Sequence, residues 1–347
     1  MNPTPYHKPW LSTEAQLDQL IQRGMIVTDR AKALNYLDRI GYYRLSGYWH
    51  DFRLRPAFCP LDEQTGGKPK KVRIERLVLD EFKPGTRFQD AVALYVFDKR
   101  LRLLVLDGLE RIEIALRVEL SHRLGRADPF AYLRPELFHS SFSHKLEPAT
   151  GVTRHHDWLS KHANLIGRSR EEFIRHNKTK YGLPLAIWVA CEVWDFGALS
   201  TLYAGLKEED QDEISSRHGV ANGRIFATWL RSLNYLRNVC AHHSRLWNRN
   251  IVDQPRLPPD GEVTALDAFQ DDAHGRARPF LLFCICQHLL ETINPRSSWG
   301  QRLKHLLEHE FPKLDHVGLT LQGMGVDANW LARTWSTGSE KEKPPSS

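Results

Sequence analysis

At 347 residues the chain has room for one large or two ordinary domains with an ample core. Its 41% hydrophobic and 26% charged content, with ten Trp and fifteen Phe, excludes wholesale disorder. A net charge of +6 permits a polyanionic partner without demanding one.

The first ten residues are polar and contain proline, so they read without a secretory signal, and no run reaches membrane-spanning length. Thr13-x-x-Gln16 has the form of a capping box ahead of Leu17, Leu20 and Ile21, with Gly24 as the stop. Asp29 is placed to cap a second helix ended by Gly41. The aromatic segment Tyr42 to Trp49, broken by Gly47, reads as a packing joint between helices. These elements define an N-terminal helical region, residues 1–57, and residues 58–87 follow as a loop or inserted hairpin.

A helical domain is expected over residues 88–335. It opens with a helix from Phe88 to Leu124, whose polar face carries Asp98, Arg102, Glu110, Glu113, Arg117 and Glu119 as solvated i,i+3 and i,i+4 pairs. His139 to His162 reads as a histidine-rich loop, and its His155-His156-Asp157 lacks the paired spacing of a zinc site. Ser169-x-x-Glu172 reads as a capping box, and Pro184 as the first turn of a helix from Leu185 to Leu206 containing Glu192. Further helices are expected over Leu281 to Ile293 and Arg302 to His309, with residues 336–347 as a disordered tail. The fold class is therefore all-α.

Cys59, Cys191, Cys240, Cys284 and Cys286 form neither a CxxC pair nor a zinc spacing, which suits buried thiols in a reducing cytoplasm. No cofactor or metal is expected. The compact basic run Lys68-Pro69-Lys70-Lys71 reads first as a solvated loop, with Lys70 and Lys71, and separately Arg245, as candidate contacts to a polyanion.

The stretch Leu233 to His243 is the most informative. At 100° per residue an apolar stripe runs through Ile225, Phe226, Trp229, Leu230, Leu233, Leu236 and Cys240. Arg237 projects beside Leu230 and Leu233, where a charge needs a carboxylate, a wet cleft or a phosphate. Glu113 and Glu192 are candidate carboxylates. The bare Arg-x(4–6)-His spacing recurs at Arg44/His50, Arg117/His122, Arg134/His139, Arg170/His176 and Arg302/His309, so spacing alone does not single out Arg237. What sets it apart is Asn238 immediately after it and its place in an apolar stripe.

Four segments extend the argument. They are Lys8 to Ser12, Tyr36 to Trp49, Phe97 to Arg117 and Leu233 to Arg249. In order and spacing they resemble the abortive-infection Abi family of bacterial proteins, the AbiD/AbiF-like group, which is placed in the HEPN superfamily of helical ribonucleases. The resemblance implies a HEPN-like helical bundle with an N-terminal helical extension. It also implies metal-independent endoribonuclease activity, in the cytoplasm, in phage defence or toxin–antitoxin systems. The motif of that superfamily maps onto Arg237, Asn238 and His242 as the catalytic set, with His243, Glu113, Arg117 and Glu192 as further candidates. RNA is the implied partner, along with a second copy of the chain, since such enzymes pair two motifs across a two-fold axis. A small RNA or protein antitoxin is conceivable as a regulator.

These residue types suit the chemistry. RNA carries its own nucleophile, so the enzyme supplies a proton carrier near neutral pH and a cation for the phosphorane charge. Two points stay open at this level. On an ideal helix Arg237 and His242 stand about 140° apart, so either the helix distorts near Ala241 or the arginine reaches around. His243 projects back to the apolar side and is a rival for His242. A non-catalytic RNA-binding or interaction module is the alternative function.

Overall fold

The computed structural model describes residue 5 and residues 8–58, 75–76, 78–327 and 330. Lys70, Lys71, Cys59 and the expected tail 336–347 lie outside the described residues. Among the described residues the protein is all-α, apart from one two-residue antiparallel strand pairing, β1 (Ala57–Phe58) with β2 (Glu75–Arg76). Contacts divide the chain into two compact units, residues 1–100 with 308–322, and residues 101–307 with 323–347.

The first unit contains α1 (Thr13–Gln22), α2 (Arg30–Ile40) and α3 (Tyr42–Trp49), and it includes the start of α4 (Phe88–Gly125). Ser12, not Thr13, caps α1, its Oγ accepting from the Ala15 amide at 3.2 Å. The expected box is therefore one residue late, because Ser12 keeps extended dihedrals while Thr13 is already helical. Gly24 stops α1 at φ 92°, with the Met25 amide bonded to the Leu20 carbonyl at 3.0 Å. Asp29 caps α2 and Gly41, at φ 90°, ends it.

The Tyr42–Trp49 segment is itself a helix, buried through Leu45, Tyr48 and Trp49. Trp49 lies edge-on to Tyr42, and the Tyr48 hydroxyl donates to the Asp98 carboxylate at 2.7 Å. Asp98 is fully buried, so it departs from the solvated face expected of it. A buried carboxylate held by a phenol forms a specific polar joint within an aromatic core.

The second unit contains the rest of α4 and α5 (Ser140–Ser143), α6 (Arg154–Arg168), α7 (Glu172–Tyr181), α8 (Ile187–Ala190) and α9 (Phe196–Gly205). It continues through α10 (Glu208–Arg217), α11 (Gly223–Ala241), α12 (Thr264–Asp267), α13 (Ala273–Arg276), α14 (Pro279–Ile293) and α15 (Trp299–His309). α11 is its central strut. It buries Phe226, Trp229, Leu230, Leu233, Leu236 and Cys240, and packs on α9, α10 and α14. Each buried leucine contributes about 1.5–3 kcal/mol. Gly223 lets α10 approach, since a β-carbon there would lie 2.5 Å from the Gln211 β-carbon.

Three local expectations are corrected. The helix foreseen over Leu185 to Leu206 is broken: α8 and a 3-10 turn end before Trp194, and Asp195 caps α9 by accepting from the Ala198 amide at 2.8 Å. His139 to His162 is largely helical, because Thr153 caps α6 and draws His155 and His156 into its first turn. Ser169 does not cap α7; Glu171 is the N-cap, and the Ser169 hydroxyl accepts from its amide at 3.3 Å. Among the described residues, no helix is long and apolar enough to cross a membrane.

Candidate functional site

The end of α11 sets the geometry. The His242 amide still bonds the Asn238 carbonyl at 3.0 Å, so the helical track runs undistorted through Ala241 to this residue. His243 then turns to φ 55°, its amide bonding Cys240 at 3.1 Å while the Ser244 amide bonds Val239 at 3.0 Å. That is the hydrogen-bond pair of a Schellman stop, with histidine at the position usually held by glycine. The helical projection of His243 onto the apolar side is therefore corrected: the helix has ended, and His243 is exposed.

Because the helix stays regular, Arg237 and His242 remain about 140° apart around its axis. Arg237 is half-buried, donates to the Asn238 Oδ1 at 3.4 Å, and forms no ion pair among the described residues. The stripe position thus exposes this cation more than its projection implied. His242 and Asn238 are exposed, and the His242 ring makes no side-chain hydrogen bond among the described residues.

Behind Arg237 stands a charged cluster from α4. Arg117 donates to Glu113 at 3.1 Å and to the Trp194 carbonyl at 3.1 Å, and it reaches Glu192 at 3.8 Å. Burial pushes the Glu113 carboxyl above its ordinary value, while the charges of Arg117 and then Arg237 pull it down. Arg237 therefore feels Glu113, although Arg117 is that carboxylate's direct partner. Glu192 is half exposed and pairs with Arg117, not Arg237.

Two residues near the site carried no functional signal in the sequence. Arg102 is buried, not solvated, and donates to the Ser244 carbonyl at 3.3 Å, fastening the turn that follows His243. Asn234 lies one helical turn before Asn238 and faces Gly197, where a β-carbon would lie 3.5 Å from the Asn234 amide. Both occur within the segments that carried the family resemblance, but nothing in their spacing marked them. Arg245 is half-buried and accepts through its carbonyl from Arg249, whose guanidinium lies over the Tyr235 ring at 5.5 Å. The histidines of α6 are engaged elsewhere: His155 is buried against the Tyr132 carbonyl at 2.7 Å, and His156 meets the Thr153 hydroxyl at 2.7 Å.

This arrangement, a helix ending in Arg-Asn and an exposed histidine within an all-α unit, lies inside a span that matches a known family. Residues 35–248, more than half of the chain, match the Abi-like proteins, and the chain belongs to that family. Membership implies a role in abortive-infection phage defence. The span includes Arg237, Asn238, His242 and the α4 cluster, and it leaves out Lys8 to Ser12. No curated protein and no solved structure matches the chain.

Proposed function

We propose that the chain is a metal-independent endoribonuclease of abortive-infection type, cleaving RNA at a composite site formed by two copies. The observation that carries this reading is the end of α11: an exposed histidine ring without a protein partner among the described residues, beside Asn238 and an arginine with no ion pair. In the proposed reaction the 2′-hydroxyl oxygen bonds to the adjacent phosphorus and the bond to the 5′-oxygen breaks. At each site the His242 supplied by the partner copy accepts the 2′-hydroxyl proton and, once protonated, donates it to the departing 5′-oxygen. Arg237 neutralises the charge building on the non-bridging oxygens, and Asn238 holds the phosphate or the histidine. Glu113, itself held by Arg117, attracts Arg237 from α4.

The regular helix supports the two-copy arrangement. Residues 140° apart on one helix do not converge on one phosphate, whereas Arg237 of one copy and the partner's His242 are free to do so. The products should be a 2′,3′-cyclic phosphate and a 5′-hydroxyl, formed equally well in EDTA. His242→Ala should lower the cleavage rate by about 10²–10⁴-fold, and Arg237→Ala by about 10²–10³-fold, with unchanged circular dichroism. Cleavage abolished by EDTA, or retained at wild-type rate in both variants, sinks the mechanism.

A further inference from the structure

We infer that the groove walled by α6 and α11 and floored by α9 is the track along which a single-stranded RNA backbone reaches His242. The inference rests on the ribonuclease reading and assigns that site its substrate path.

The groove consists of two adjoining clefts of about 430 and 390 Å³ that share Trp158, Lys161 and Thr201. The first extends to Asn164, Arg168 and Asn234, and the second to Arg154, Thr228 and Arg231. Four cations thus line it. Arg154 and Arg231 are committed to exposed pairs with Glu147 at 3.0 Å and Asp253 at 3.7 Å, contacts weak enough for a phosphate to displace. Lys161 and Arg168 form no ion pair among the described residues. Two carboxylates also line the groove, and one of them, Asp195, is engaged in capping α9.

The direction of the groove comes from α11. At 100° per residue Arg231, Asn234, Asn238 and His242 fall within a sector of about 80°, a strip about 16 Å long at 1.5 Å per residue. A strand held by the groove cations is therefore led, along one helix face, to the exposed His242 ring. Arg237 lies outside this sector, which again leaves it to serve the strand bound by the other copy.

The lining identifies the ligand as a phosphodiester backbone. Thr201, Thr228, Asn164 and Asn234 offer hydroxyls and amides suited to phosphate oxygens and 2′-hydroxyls. Trp158, the aromatic side chain common to both clefts, is buried and donates its indole N–H to the Ala198 carbonyl at 2.9 Å, so it offers no stacking face. Recognition here is of charge and sugar, with little base preference. Each cleft has the size of a small-molecule pocket, which admits a nucleotide and not a duplex.

The test uses a labelled 2′-O-methyl oligouridine, whose blocked hydroxyl prevents cleavage, titrated into the full-length protein over a range of salt. Lys161→Glu/Arg168→Glu should weaken binding at least about tenfold at 0.1 M salt, and should reduce the slope of log K against log salt by about 1.4, or 0.7 per lost phosphate contact. Lys32→Glu/Lys313→Glu makes the same change in net charge at exposed sites elsewhere and should bind as wild type does. Unchanged affinity in the groove variant, equal loss in both variants, or tighter wild-type binding to polyglutamate than to the oligouridine overturns the assignment. The two readings fail separately. Weakened binding in the groove variant, with normal cleavage by Arg237→Ala and His242→Ala, keeps the track and removes the ribonuclease site. Normal binding in the groove variant, with cleavage lost in His242→Ala, does the reverse.

Discussion

His243 is the one non-glycine residue at positive φ among the described residues, and it stands directly beside the histidine proposed to move protons. Histidine tolerates the left-handed region better than most residues, yet the conformation still costs about 1 kcal/mol relative to glycine. His243→Gly should therefore raise stability by up to about 1 kcal/mol, measured by denaturant unfolding, while leaving RNA cleavage intact. Stabilisation with loss of cleavage would move the catalytic role from His242 to His243. The sequence left the two histidines unresolved for a physical reason. No glycine marks the stop of α11, so helical periodicity alone carries the projection past Ala241, where the real backbone has already turned. Arg237 was legible as a misplaced charge, but its immediate surroundings were not. Glu113 and Glu192 appeared equivalent in sequence, and distances assign both to Arg117, with the charge of Arg237 acting on Glu113.

At the scale of elements, α6 and the turn before α9 enclose an aromatic cluster in which Trp158 stacks on His162 at 5.5 Å and the Trp194 indole donates to the His162 Nδ1 at 2.9 Å. Burial holds the His162 ring down to about 4, and burial, with the charges of His288 and Arg217, holds His218 down to about 4. Both are neutral in the fold, whereas in the unfolded chain they take up a proton near their ordinary value of 6.5. The unfolded state thus binds more protons between these values, so this part of the stability is complete above about pH 6.5 and drains away as pH falls toward 4. The melting temperature should fall between pH 7.5 and 5, and His162→Gln, whose amide oxygen can still accept from Trp194, should show a shallower fall. A melting temperature flat over that range refutes the assignment. Periodicity read the long elements well, α4 and α14 above all, because their apolar spacing is sustained. It failed at the α8–α9 break, where a largely apolar run, interrupted before it only by Glu192, hid the Asp195 cap, and at α6, where a run of polar residues hid the Thr153 cap. In both places a single side-chain-to-backbone bond decides the chain direction, and hydrophobicity does not register it.

For the whole molecule, the all-α class and the abortive-infection family were both legible, since they rest on sustained helical patterning and on motifs distributed along most of the matched span. The division into units was less so. The boundary falls at residue 100, inside α4, where a continuous helix gives no compositional cue. The two-copy site is a consequence of geometry at this scale and can be tested there. If Arg237 of one copy serves the partner's His242, each single variant has two defective sites in its homodimer. A mixed dimer of Arg237→Ala with His242→Ala regains one intact pair. Co-expression with two different tags and tandem purification isolates that mixed species. Its cleavage rate should approach half that of wild type, while each variant alone stays at least about 10²-fold below it. A purified mixed dimer as inactive as its parents would show that both groups must come from the same chain. Helix α11 would then have to bend beyond Asn238 for its own arginine and histidine to meet.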